Sequence, residues 1–160
     1  MDAENSPRLT IELVPQTSWF NNARKVLTEQ EWDKVRYNVY RKANYRCEVC
    51  GGRGPRHPVE CHEKWEFDDE QQVQRLVGLV ALCPNCHQVK HIGLAQVLGN
   101  LDSAVAHLMR VNGWDIDTAL DYVDQAFGQW QKRSEVEWTV DLGVLKNNTR
   151  LQNLTPGVGV

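Results

Sequence analysis

The chain has 160 residues, 41% of them apolar and six of them tryptophan, enough for one packed domain and too little for several. A net charge of −3 argues weakly against a general nucleic-acid binder, whose phosphate affinity comes mostly from clustered lysine and arginine. The polar start, Met1 to Thr10, lacks a basic-then-apolar signal pattern, and no stretch has the length of a membrane span, so a soluble, cytoplasmic protein is expected.

Residues 1–27 read as an N-terminal extended and irregular segment, in which Leu9 to Val14 alternates weakly and stops at Pro15. Thr28 with Glu31 three residues on is a capping box, and Trp32, Val35, Val39 and Tyr40 recur at helical spacing. A helix to about Ala43 is predicted. From Lys34 to Arg56 the side chains Lys34, Arg36, Arg41, Lys42, Arg46, Arg53 and Arg56 oppose only Glu48, which sets a basic patch beside the first cysteine pair. The acidic run Glu66 to Glu70 reads as solvated surface.

Val59 to Phe67 and Leu76 to Leu82 carry the β-branched and aromatic content of two hairpin arms. A helical segment with His87 and His91 follows, which Gly93 interrupts or ends. Residues 96–145 form a C-terminal helical extension. Asp102 or Ser103 caps one helix, and Asp117 caps another with Leu120, Val123, Phe127 and Trp130 inward. A strand-like stretch, Val136 to Val144, precedes a mobile tail over 146–160.

Five cysteines without a signal sequence point to reduced thiolates. Cys47-Glu-Val-Cys50 and Cys83-Pro-Asn-Cys86 are two C-x2-C pairs with 32 residues between them, a spacing that suits the tetrahedral preference of zinc better than two separate redox dithiols. Structural zinc would supply much of the folding energy of a segment with little apolar surface. His87 and His91 are four apart, so on a helix both imidazoles project from one face and can share a metal. A zinc clamp between hairpin and helix would bring His62 toward them, a candidate base beside a candidate Lewis acid.

Arg46-Cys-Glu-Val-Cys-Gly51, the Cys61-His62 pair, and Leu79-Val-Ala-Leu-Cys-Pro-Asn-Cys-His-Gln-Val-Lys-His91 resemble the HNH, or ββα-metal, endonuclease superfamily in its zinc-bearing four-cysteine branch. The resemblance covers about Trp32 to His91, within a core assigned to residues 28–95. It implies an α+β fold: a ββα-metal core with a treble-clef-like four-cysteine zinc site, flanked by additional helices. It further implies His62 as general base, His87 and His91 as ligands of a catalytic divalent ion (Mg²⁺, Mn²⁺, Ni²⁺ or Zn²⁺), and DNA cleavage to 5′-phosphate and 3′-hydroxyl ends. Cys61 stands where the family keeps a further metal ligand, with Glu63 on the same strand face as a substitute. Gly78 stands near the family's asparagine, so a backbone carbonyl or Glu60 must orient His62. Arg53, Arg56 and His57 are candidates for phosphate contact, and His107 receives no role. The alternative is a non-catalytic zinc module that binds DNA or a protein partner.

Overall fold

The organising element of the computed structural model, which describes residues 6–19 and 21–146, is a three-stranded sheet of order β1-β2-β3 in an α+β architecture. Strands β1 (Glu60–Asp68) and β2 (Val73–Leu82) form an antiparallel hairpin, with Glu60 opposite Leu82 and Asp68 opposite Val73. Its second arm starts earlier in the chain than expected, because pairing continues past a bulge between Lys64 and Trp65. Gly78 sits opposite Lys64 at that bulge. The expected strand over Val136–Val144 narrows to β3 (Thr139–Asp141), which pairs parallel with β2 and gives way to helix α7 (Gly143–Lys146). Of the predicted tail, 147–160 lies outside the described residues.

Helix α1 (Ala23–Val26) lies within the segment expected to be irregular. Helix α2 (Glu29–Lys42) opens on the predicted capping box: Thr28 Oγ1 accepts from the Glu31 N–H at 3.1 Å, and Glu31 Oε1 accepts from the Thr28 N–H at 3.3 Å. It buries Trp32, Val35 and Val39. The helix bearing the paired histidines divides at His91, not at Gly93: α3 (Pro84–Lys90) ends there and α4 (Ile92–Val97) begins, with His91 at φ −108° and ψ 48°. Helix α5 (Leu101–Asn112) starts from Asn100 instead of Asp102 or Ser103. Helix α6 (Ile116–Arg133) is capped by Asp115, whose carboxylate accepts from the Thr118 N–H at 2.8 Å, two residues ahead of the predicted Asp117. Its buried residues are Ala119 and Val123, while Leu120, expected inward, is 47% exposed.

One apolar cluster joins Leu9, Cys47, Leu82, Val89, Ile92, Leu108 and Val123, so the N-terminal segment, both cysteine pairs and the C-terminal helices share a core. A second cluster, with Trp32, Val35, Leu76 and Leu142, lies between α2 and the sheet. Strand alternation divides β1 between them: Cys61 packs toward the second, whereas His62 turns toward α3. The segment from Leu9 to Glu12 has no regular secondary structure, yet partners pin it at each step. Asn112 exchanges two 2.9 Å hydrogen bonds with the Leu9 backbone, Tyr122 accepts from the Ile11 N–H at 3.1 Å, and the Glu12 N–H donates to the Lys90 carbonyl at 3.3 Å. Among the described residues no helix is long and apolar enough to cross a membrane.

Candidate metal centres

Cys47 and Cys50 follow the α2 terminus, Cys83 caps α3 and Cys86 lies in its first turn, which brings all four sulfurs within 4.8 Å of one another. The Cys50 and Cys83 sulfurs are 3.6 Å apart, close to the spacing of about 3.8 Å that a tetrahedral zinc with bonds of about 2.3 Å requires. Backbone N–H groups of Cys50, Gly52 and Cys86 each point at a cysteine sulfur at 3.4 Å, as thiolate acceptors need. Hydrogen bonding from Cys86 pulls the Cys47 thiol down to about 4, while burial pushes Cys83 up to about 11 and the hydrogen bond to Cys47, with burial, pushes Cys86 up. One thiolate thus opposes the next, and a divalent cation relieves that repulsion; the donor set fits zinc. Gly54 permits the loop between the pairs to dock: a Cβ there would collide with the His57 carbonyl and come within 2.7 Å of Pro84.

The second group is His62, His87 and His91, whose candidate ligand nitrogens also lie within 4.8 Å of one another. Nε2 of His87 and Nε2 of His91 are 3.1 Å apart, near the separation of about 3.3 Å for two imidazoles on one ion at about 2.0–2.1 Å. The three ring centroids are 4.7 to 5.3 Å apart. Burial lowers His62 below its ordinary value against the pull of Glu12, and burial with the neighbouring rings lowers His91 to about 3. Both are neutral at pH 7, the state a metal or a transferred proton requires.

Each of two histidines is held by a carboxylate. Glu60 Oε1 lies 3.2 Å from His87 Nδ1, so this nitrogen carries the proton and Nε2 keeps its lone pair. Hydrogen bonding to His87 keeps Glu60 below its ordinary range. Glu12 Oε2 lies 2.7 Å from His62 Nε2 and 3.4 Å from Lys90 Nζ. Burial raises the Glu12 carboxyl, but His62 and Lys90 outweigh it and leave the group more acidic than usual. The partner of His62 is therefore neither a backbone carbonyl nor Glu60, the two expected from sequence.

Cys61 is outside the histidine group. Its side chain packs on the opposite face of β1, where burial, reinforced by Glu63, pushes the thiol up to about 12. Cys61 and His62 face opposite ways on β1, which leaves Cys61 on the α2 side and His62 on the α3 side. Glu63 shares the face of Cys61, as alternation predicts, and accepts from the Ala23 N–H at 3.0 Å, away from the histidines. Of the phosphate-contact candidates, His57 reaches Glu60 at 3.4 Å, Arg53 donates to the Asn44 carbonyl at 3.1 Å, and Arg56 is exposed. Arg36, Tyr37, Tyr40, Tyr45, His57 and Glu60 line a cleft of about 430 Å³, and of these Glu60 also meets His87. Asn44 and Tyr45, both at positive φ (55° and 56°), turn the chain there.

Two residues with no sequence-based role enter these centres, Glu12 and His107. No local signal marks either, since both arrive from elements remote in the chain. Compared with family models, curated proteins and solved structures, the chain matches none.

Proposed function

We propose that the chain is a metal-dependent endonuclease of the HNH kind that hydrolyses DNA phosphodiester bonds. The observation that carries this reading is the convergence of His62, from the hairpin, with His87 and His91, from the helix that the four-cysteine cluster ties to it. A hairpin and helix joined at that cluster suit a ββα-metal core with zinc as its brace.

His87 and His91 would hold a divalent ion, which when bound would supply positive charge to the scissile phosphate and its leaving oxygen. Glu60 keeps the proton on His87 Nδ1 and so leaves Nε2 for the ion. His62, buried and neutral at pH 7, accepts the proton of the attacking water. Because its Nε2 is engaged by Glu12, the nitrogen that takes this proton is Nδ1. Arg36, His57 and the exposed faces of Tyr37 and Tyr45 offer the substrate cationic and stacking contacts. Arg53 and Arg56 extend that basic surface, which the overall charge of −3 conceals.

Purified protein incubated with supercoiled plasmid and Mg²⁺, Mn²⁺, Ni²⁺ or Zn²⁺ tests the proposal. Metal-dependent nicking should fall by about 10²–10⁴ in His62→Ala. Absence of nicking with every ion, or a variant that nicks as fast as the parent, sinks the nuclease and favours a zinc module that binds DNA or protein without cleaving it.

A further inference from the structure

Glu12 lies in a segment without regular structure, 50 residues from His62 in sequence, yet the two side chains meet at 2.7 Å. The contact is built. Leu9 is fully buried in the main core, both backbone groups of Leu9 bond Asn112, and the Glu12 N–H is held by the Lys90 carbonyl. Lys90, itself only 6% exposed, places its ammonium 2.6 Å from Thr10 Oγ1 and 3.4 Å from Glu12 Oε2. Segment, lysine and carboxylate are thus locked as a unit, and its lysine directly precedes His91.

We propose that Glu12 is a positioning residue of the histidine centre: its carboxylate holds the proton of His62 on Nε2, leaving Nδ1 as the only lone pair His62 can offer to an ion or a water. An ionised carboxylate only accepts hydrogen bonds, so the ring nitrogen facing it must be the protonated one. Glu60 does the same to His87 through the other ring nitrogen, Nδ1. The two carboxylates set two tautomers from opposite sides, and the N-terminal segment becomes part of the centre. In metal sites such outer carboxylates fix ring orientation and raise ligand basicity. The inference rests on the reading that His62 stands beside an ion held by His87 and His91, but it does not need DNA cleavage.

The test uses the full chain with the four-cysteine cluster zinc-loaded, comparing the parent with Glu12→Ala and Glu12→Gln. Titration with Co²⁺ or Zn²⁺ alone, followed by metal counting, reads the second site. Long-range proton–nitrogen spectra of the imidazoles read the His62 tautomer. In the parent, His62 should carry its proton on Nε2. Glu12→Ala should lose that fixed tautomer while keeping the ion that His87 and His91 hold. Glu12→Gln, whose amide oxygen still accepts from Nε2–H, should retain the tautomer. A parent His62 protonated on Nδ1 overturns the proposal, as does a Glu12→Gln variant that folds, keeps its cysteine-bound zinc and loses the tautomer. An alanine variant with the parental tautomer overturns it too. If the alanine variant fails to fold, the glutamine variant and the parent spectra decide. Plasmid nicking is scored separately: a parent that binds the ion in this way without nicking refutes the nuclease, not the role of Glu12.

Discussion

His107 Nε2 lies 3.2 Å from Cys86 Sγ, so α5, which carries none of the cysteines, supplies a hydrogen bond to one of them. The direction follows from the neighbour on the other ring nitrogen. Arg110 has only donors to give, and its guanidinium sits 3.1 Å from His107 Nδ1; Nδ1 accepts, and the proton is on Nε2. Burial, with the Arg110 charge, keeps this histidine neutral. A donor on a metal-binding sulfur spreads its charge and sets its orientation.

His107→Ala should therefore weaken zinc at the four-cysteine cluster by about 10–100-fold while leaving the second-site ion unchanged. Competition against a chromophoric zinc chelator reads the affinity. Parental affinity would show that the contact is packing alone.

Cys61→Ala should leave the metal content of both groups intact, because the thiol faces α2 and not the histidines. Its cost is a small cavity, about 1 kcal/mol of stability. Metal counting by mass spectrometry with a denaturant titration checks both. Loss of the second ion in a folded Cys61→Ala variant would restore Cys61 as a ligand.

Glu63 gives a pH signature. Burial raises its carboxyl above the ordinary 4.5, the Ala23 N–H and Arg24 only partly opposing. A group whose folded-state value is raised contributes stability fully below its unfolded value, and that contribution is lost as pH rises through the folded value. Glu63→Gln keeps an acceptor for Ala23 and removes the buried charge. Thermal melts should match at pH 4, and the variant should melt a few degrees higher at pH 7. A constant difference across the range would contradict this.

Tyr45→Ala should reduce binding of a single-stranded oligonucleotide about tenfold or more, the size of one lost base-stacking contact, with metal content unchanged. Tyr45 is 42% exposed in the cleft beside Glu60. Fluorescence anisotropy with divalent ions chelated from the buffer makes the measurement under conditions in which metal-dependent turnover is excluded. Unchanged affinity would remove the cleft from the substrate path.

The sequence by itself determined the local facts. Two C-x2-C pairs, a capping box at Thr28, and histidines one helical turn apart are short-range patterns, and short-range geometry decides them. His87 with His91 does share a face for that reason, whereas the meeting of the two cysteine pairs, 33 residues apart at Cys50 and Cys83, is a tertiary contact. Even here the chain departed from period: the helix divides at His91 itself, which no residue preference at Gly93 foretold. Strand alternation also held enough information to exclude Cys61 from the side of His62, once β1 was given. What only the tertiary structure decided is which distant groups complete each centre. Glu12 reaches His62 because Leu9 is buried and the segment after it is pinned along α3, α5 and α6. His107 reaches Cys86 because α5 packs on α3. Neither residue carries a spacing or a motif, since a contact across 50 or 21 residues depends on packing of the intervening core and leaves no periodic trace in the chain.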